Sequence, residues 1–200
     1  MPLGIPNVLN NENKSKSNSW INLFAKIAQD GVLFLTQTIN DDTANQLIRI
    51  LLTFRIEKEK NTIALYVNSN SLINSLRSGI AVVDTIQYIP QNIKTINFGI
   101  AASITSLVVR SGKKGIRMVL SYAQFMPYIS IENFQGQAQD ININLVGSEK
   151  LLQTVNKIYL KNRCHKINKI TLRRYLSRQY FINRKEALEL SLIDQIKSRY

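Results

Sequence analysis

The alternation of strand-like and helix-like segments constrains the fold of this 200-residue chain more than any other feature. The apolar run T-I-A-L-Y-V at 62–67 predicts a buried strand, and a helical spacing of apolar residues follows at 80–89. A second strand is predicted at 94–100, leading into a helix at 103–110. Strands and helices that alternate in this way predict an α/β domain with parallel strands inside.

Further elements follow from local signals. They are a helix capped by Asp41-Asp42, a turn at N-S-N-S (68–71), and strands at 115–120 and 124–130. I-N-I-N-L at 141–145 alternates like an isolated edge strand, because apolar and polar residues take turns along it. An amphipathic helix is predicted after it, from about 148 to 162.

Composition excludes several classes of protein. Cys164 is the only cysteine, so neither a disulfide framework nor a cysteine-based metal site is available. No apolar run is long enough for a membrane span, and the first residues lack the pattern of a secretion signal. We therefore expect a soluble protein without a metal. Its richness in Asn, Ile and Lys is typical of an AT-rich genome such as that of an organelle.

The positive charge is concentrated late in the chain. Lys and Arg total 26 against 13 acidic residues, a net charge of +13, and no acid occurs from Lys150 to Lys185. A basic cluster of this kind can bind phosphates. It can equally form the solvated side of helices or face an acidic partner subunit. We favour the latter two interpretations, because interleaved aromatic residues and RNA-binding motifs are missing.

The stretch F-G-I-A-A-S-I-T-S, residues 98–106, places Ser103 where a strand becomes a helix. A hydroxyl at such a junction lies near backbone N–H groups that can hold developing negative charge, as a nucleophilic serine requires. A serine at a helix start also has a structural role, since its side chain can accept a backbone hydrogen bond and cap the helix. Without a neighbouring base, the capping role is the better interpretation.

The order of short motifs resembles the proteolytic subunits of the ATP-dependent Clp protease, the ClpP family. The matching segments, in family order and nearly at family spacing, are V-L-F-L-T-Q (32–37), Y-V-N-S (66–69), V-D-T-I-Q-Y (83–88), G-I-A-A-S (99–103), F-Q-G-Q-A-Q-D-I (134–141) and E-A-L-E-L-S-L-I-D (186–194). The resemblance implies a crotonase-like α/β head and a strand-plus-helix handle, assembled into stacked heptameric rings. It divides the chain into an N-terminal arm or axial region (1–25), a head (26–133), a handle (134–165) and a C-terminal part of the head (166–200).

The resemblance also implies where a Ser-His-Asp triad would lie. Ser103 falls on the nucleophile, but Tyr128 falls on the histidine and Gln179 on the aspartate. A phenol, with a reference pKa near 10, is a poor general base at neutral pH. Glutamine carries no charge to stabilise an imidazolium. Two of the three catalytic roles are therefore empty, and no metal or other cofactor is implied.

The oxyanion hole implied by the family is also altered. One donor would be the backbone N–H of Ile104, and the other would come from a P-G-G ribbon that reads Asn70-Ser71-Leu72 here. We assign Leu72 to that second position, although the ribbon is two residues longer than in the family. The only histidine, His165, falls in the turn after the handle helix and carries no mechanism without a partner.

These observations predict a non-catalytic, ClpR-like subunit of a plastid-type Clp core, located in the stroma. Its expected partners are related subunits in a double heptameric ring, a Clp ATPase and unfolded protein substrates; we expect no membrane association. An active serine endopeptidase subunit with nucleophile Ser103 is the alternative. A basic nucleic-acid-binding protein with a borrowed fold is a further alternative.

Overall fold

A computed structural model of the chain describes residues 6–10, 19–57, 61–71, 76–129, 135–161 and 169–197. The strands are β1 (Asn7–Asn10), β2 (Ser19–Asn22), β3 (Val32–Leu35), β4 (Thr62–Ser71), β5 (Asn92–Ser103), β6 (Met118–Leu120), β7 (Gln124–Met126) and β8 (Gln195–Lys197). The helices are α1 (Leu23–Gln29), α2 (Asp41–Glu57), α3 (Leu76–Tyr88), α4 (Ile104–Ser111), α5 (Ala138–Lys161), α6 (Lys169–Leu176) and α7 (Arg184–Glu189).

The main sheet is parallel, in the order β3-β4-β5-β6-β8, with β7 beside the end of β5. Helices α2, α3 and α4 each connect one strand to the next parallel strand, as βαβ units require. The predicted α/β domain with parallel strands is confirmed. A separate antiparallel ribbon of β1 and β2 precedes it.

The two faces of the sheet differ in burial. Along β4, Ile63, Leu65 and Val67 are fully buried, and they share one core with side chains of α2, α3 and α4. The intervening residues of β4 point to the other side and lie outside that core. There Phe34 stacks on Tyr66, with ring centroids 5.4 Å apart. We call this second side the open face.

The prediction of a strand at 141–145 is wrong, since these residues lie inside the long helix α5. Ile141 and Leu145 are four residues apart, so the same letters also fit a helix. Asp140 in the first turn interacts favourably with the helix dipole. A lone strand without a neighbour would have left its backbone groups unpaired, whereas the helix pairs them internally.

The predicted turn at 68–71 is also wrong, because β4 continues to Ser71. Its pairing register with β5 shifts between Val67, opposite Asn97, and Ser69, opposite Ala101, so β5 bulges at residues 98–100, opposite Asn68. The Asn68 side-chain oxygen accepts a hydrogen bond from the backbone N–H of Ile100 at 3.0 Å. A Cβ atom at Gly99 would collide with that same oxygen. Glycine in the β5 bulge therefore makes room for the Asn68 side chain.

Other boundaries differ in detail. Asn40, rather than Asp41-Asp42, accepts the capping hydrogen bond of α2, from the Thr43 N–H at 2.8 Å. The strand predicted at 115–120 begins only at Met118, because the N–H groups of Gly115 and Arg117 donate to the Asp194 carboxylate. The strand predicted at 124–130 ends at Met126, since Pro127 has no N–H for a ladder.

Among the helices described, none is long and apolar enough to cross a membrane.

Candidate functional site

Ser103 is the last residue of β5 and adopts an unusual backbone conformation. Its φ is 54° and its ψ is −126°, a region that residues with a Cβ rarely adopt. Such a conformation costs about 1–3 kcal/mol and persists only where the surroundings impose it. A sharp, strained strand-to-helix turn is the setting that presents the nucleophilic serine of α/β-hydrolases. The backbone at Ser103 is similar to such a turn, although the residue is only 4% exposed.

The prediction that the Ser103 side chain caps α4 is wrong. The Ser103 side chain makes no capping hydrogen bond to α4. Residues that do cap helices here, such as Asn22 at φ −61° and Asn183 at φ −77°, have extended backbones. At a positive φ, the Ser103 hydroxyl does not reach the first amides of the helix.

A set of buried hydroxyls fixes the strand beside Ser103. Ser71 pairs with Ser103 across β4 and β5, and its Oγ accepts from the Ile39 N–H at 2.8 Å. Ser69 donates to the Gln37 carbonyl at 2.6 Å and lies 3.0 Å from the Ser71 Oγ. These bonds hold the end of β4, from which the chain enters the predicted oxyanion ribbon. Leu72 itself lies outside the described residues.

The other predicted oxyanion donor, the N–H of Ile104, lies at the start of α4. Ile104 is the first residue of that helix, and first-turn N–H groups have no acceptor within their own helix. Gly79 of α3 touches the Ile104 side chain so closely that a Cβ at this glycine would overlap it. The contact between α3 and α4 thus sets the position of Ile104.

Tyr128 lies just after β7, the strand that pairs with the end of β5. Ala102 lies opposite Met126 in that register, and Tyr128 follows two residues later, half-buried. The segment carrying Gln179 runs along the same stretch. Phe125 and Ile182 exchange backbone hydrogen bonds of 3.0 and 2.7 Å, and the Ile129 N–H donates to the Leu176 carbonyl at 3.2 Å.

Gln179 lies between those two points of contact, with its side chain exposed. The topology thus places the segments that carry Tyr128 and Gln179 next to each other, and β7 pairs with the end of β5. His165 lies outside the described residues. No group of three or more His, Cys, Asp or Glu in the described ranges has the arrangement of a metal site.

Behind Ser103 lies a polar cluster that the sequence analysis missed. The Tyr159 hydroxyl of α5 donates to the Ser106 Oγ at 2.6 Å, and Ser106 donates to the Ser103 carbonyl at 2.7 Å. Complete burial raises the pKa of Tyr159 to about 12, so the phenol is a neutral donor near pH 7. The helix α5 is therefore connected to the strained turn by two hydrogen bonds.

Arg110 completes this cluster. Its guanidinium is 2% exposed and donates to the carbonyls of Tyr159, at 2.6 Å, and Ser191. Burial lowers the pKa of Arg110 to about 10, so its charge persists at neutral pH. The only sequence signal was an arginine inside the apolar run L-V-V-R, which fits a buried helix poorly.

A second buried arginine forms an ion pair. Arg117 donates from Nη2 to the Asp194 Oδ1 at 2.6 Å and from Nε to Oδ2 at 2.8 Å. Burial raises the pKa of Asp194, but the hydrogen bonds and charge of Arg117 outweigh it, so the pKa is lowered. This bidentate pair fixes the chain next to β6 and β8.

The basic segment found in the sequence is only partly described. Val155 and Tyr159 of α5 are buried, whereas Lys150 and Lys157 are exposed, as expected for an amphipathic helix. Arg173, Arg174 and Arg178 are also exposed. These charges form a solvated surface and are not directed at the Ser103 turn.

Comparisons with known proteins agree with the order of motifs. The profile of the family described as Clp protease matches residues 15–199. Three similar proteins, each named ATP-dependent Clp protease proteolytic subunit, come from Bigelowiella natans, Oltmannsiellopsis viridis and Chlorella vulgaris. They are 33%, 32% and 31% identical to this chain over 196 residues. The alignments cover 98% of this chain in each case, and 98%, 98% and 96% of those proteins.

Proposed function

Because this chain belongs to the Clp protease family, we propose that it is a non-catalytic subunit of an ATP-dependent Clp proteolytic core. Proteins of this family act through side chains and use no cofactor. The observation that supports the proposal is that tyrosine and glutamine, Tyr128 and Gln179, stand where the family resemblance places the base and the orienting carboxylate. In this position a serine needs a base to remove its proton and a carboxylate to orient that base.

The exposure of Gln179 adds support. An orienting carboxylate acts in a protected site, where its charge is not screened by water. The side chain at 179 is exposed and uncharged. An imidazole introduced next to it would gain no electrostatic stabilisation when it takes up a proton.

The alternative, an active endopeptidase subunit, has one specific observation in its favour. Ser103 keeps the strained backbone of a nucleophile turn, and Ile104 still offers an N–H at the start of α4. Both features are properties of the backbone, and they are compatible with loss of the base. We therefore attribute the proposed loss of activity to the side chains at positions 128 and 179.

A fluorophosphonate probe separates the two candidates, because it reacts with serines whose nucleophilicity is raised by a base. In the assembled complex, we expect no adduct on Ser103 by peptide mass spectrometry. A known active serine hydrolase in the same tube is the positive control. An adduct on Ser103 that disappears in Ser103→Ala would overturn the non-catalytic assignment.

We infer the partners from the apolar surfaces that are exposed in the single chain. The first half of α5 exposes Ile143, Leu145 and Val146, and the open face exposes Phe34. Exposed apolar surface of this extent usually marks a contact with another protein. We assign α5, within the handle at 134–165, to contacts between related subunits in a double heptameric ring. The core would receive unfolded proteins from a Clp ATPase.

We place the complex in the plastid stroma. The three similar proteins come from algae, and the composition is typical of an organelle gene. Native mass measurement with identification of co-purifying chains tests the assembly directly. A stable monomer in the presence of other Clp subunits would contradict it.

Nucleic-acid binding is a second candidate function, which chromatography on heparin or DNA can exclude. The exposed charges Arg173, Arg174 and Arg178 could hold phosphates, but the rings of Tyr175 and Tyr180 beside them are tilted at 49° to each other and form no parallel stacking platform. Retention on a heparin or DNA column that persists above about 0.5 M salt would favour this candidate.

A further inference from the structure

A groove crosses the open face of the sheet at the beginning of four parallel strands. It has a volume of about 580 Å³ and is formed by the first residues of β4, β5, β6 and β8 together with the loop before β6. Thr62 pairs with Asn92, Ile96 with Met118, and Met118 with Gln195. Since paired residues point to the same side of a sheet, the groove is continuous across the strands.

Four lysines from three elements converge on this groove: Lys94 of β5, Lys113 and Lys114 of the loop, and Lys197 of β8. The Lys113 N–H donates to the Ile93 carbonyl at 2.8 Å, which fixes the loop against β5. The lysines are therefore placed by ordered backbone. They belong neither to the basic segment at 150–185 nor to the Ser103 site.

No acidic residue lines the groove, and none of the four lysines forms an ion pair with a carboxylate in the part of the chain that the structure describes. The carboxylate next in sequence to the lining, Asp194, is already held by Arg117 and the Gly115 N–H. Four like charges that share one cavity repel each other, and an anionic ligand removes that repulsion. The groove is thus complementary to negative charge.

The shape and chemistry of the lining favour a peptide over a phosphate compound. Neighbouring strands are about 4.8 Å apart, so a groove across four strands is about 15 Å long, the span of four or five extended residues. The lining has no arginine fork for a phosphate and no aromatic ring for a base. Ile116 and Met118 provide apolar surface between the charges.

We propose that this groove binds an acidic, extended peptide segment of a partner protein. Carboxylates of the peptide contact the lysines, while intervening apolar side chains lie on Ile116 and Met118. The site does not depend on whether Ser103 is reactive. It therefore adds a recognition surface to a subunit regardless of its catalytic state.

The test uses the purified full chain and a fluorescent hexapeptide of four glutamates and two leucines, with binding measured by anisotropy. The variant Lys113→Glu with Lys114→Glu reverses two groove charges. The control variant, Arg173→Glu with Arg174→Glu, makes the same change in net charge at an exposed pair on α6. We expect the groove variant to weaken binding about tenfold or more, and the control to change it less than about twofold.

Three results would overturn the proposal. Equal weakening by both variants would show attraction to the overall charge rather than to the groove. Tighter binding of inorganic tripolyphosphate than of the peptide, lost in the groove variant, would identify a phosphate site instead. No binding at about 1 mM peptide in low salt would show that the groove has no such ligand.

Discussion

At Ser103 the chain has a strained backbone, and we propose that the side chains that would use it for catalysis are replaced. The neighbouring hydroxyls of Ser69 and Ser71 hold the strand end, so the strain is imposed by the fold and not by the Ser103 side chain. Removing the Ser103 hydroxyl should then have almost no effect on stability, because it makes no capping bond.

The backbone at Ser103 gives a direct prediction about glycine. At φ 54° and ψ −126°, glycine has no Cβ to clash, so Ser103→Gly should be more stable than Ser103→Ala by about 1 kcal/mol in urea unfolding. Ser121, whose φ is not positive, is the control site. There the glycine variant should be the less stable one. The same order at both sites would contradict the strain.

Restoring the triad side chains should not restore much activity. We expect Tyr128→His with Gln179→Asp to stay at least about 10²-fold below an active Clp subunit in peptide hydrolysis. The new aspartate would be exposed at position 179, and we propose that Ser71 and Leu72 stand where an active subunit has the glycines of its oxyanion ribbon. A version of the double variant that also has the ribbon shortened to N-S-P-G-G measures how much of the lost activity is due to the ribbon. Vigorous cleavage by the double variant alone would show that the oxyanion site is intact.

The ion pair of Asp194 predicts acid sensitivity. Because its folded-state pKa is lowered, the stabilisation is present above the unfolded pKa of about 3.9 and is lost as pH falls through the folded value. Asp194→Asn should therefore lower the urea midpoint at pH 7 and converge with the native chain as pH falls below about 4. Asp84→Asn, at an exposed carboxylate, should show no such convergence.

At the scale of elements, the contact between α4 and α5 depends on few atoms. Tyr159 supplies the hydroxyl that donates to Ser106 and the carbonyl that accepts from Arg110. Replacing Tyr159 by phenylalanine keeps the hydrogen bond from Arg110 to the carbonyl of residue 159, but it removes the hydroxyl bond to Ser106. Ser106 would then be a buried acceptor without a donor.

We therefore expect Tyr159→Phe to destabilise the chain by about 1–2 kcal/mol in urea unfolding. Tyr180→Phe is the matched control, because its hydroxyl bond to Glu186 is long, 3.3 Å, and exposed. The control should change stability by less than about 0.5 kcal/mol. An effect of equal size in both variants would contradict the inference that the Tyr159 hydroxyl stabilises the contact between α4 and α5.

The elements that sequence predicted well are those whose periodicity had one interpretation. Strand β5 and the helix α4 follow from an apolar run that changes period at Ser103. Residues 141–145 fit both periods, and only the lack of a strand neighbour decides between them. The cluster of Arg110 and Tyr159 joins residues 49 positions apart, so local patterns could not reveal it. The φ of Ser103 is likewise set by its neighbours in space.

At the scale of the whole molecule, the single chain has more apolar surface than its own core covers. Ile143 of α5 is 66% exposed, in the segment that we assign to subunit contacts. Ile56 of α2 is 80% exposed and lies outside that segment. The two residues form a matched pair for a test of assembly.

Ile143→Lys should shift the complex toward smaller species in native mass spectrometry, because a charge would be buried in an apolar contact. Ile56→Lys should leave the mass distribution unchanged. Both chains should unfold at nearly the same urea concentration, since both sites are exposed in the single chain. Loss of assembly with Ile56→Lys instead would move the contact surface to α2.

The buried arginine also sets the order of events on the ribosome. Arg110 is translated well before its acceptors, Tyr159 and Ser191, which follow it by 49 and 81 residues. Until the last of these leaves the exit tunnel, the guanidinium must stay in water, and α4 cannot take its final place against the sheet. The contact that positions α4 therefore closes late in synthesis, after α5 and the turn at Ser191 have emerged.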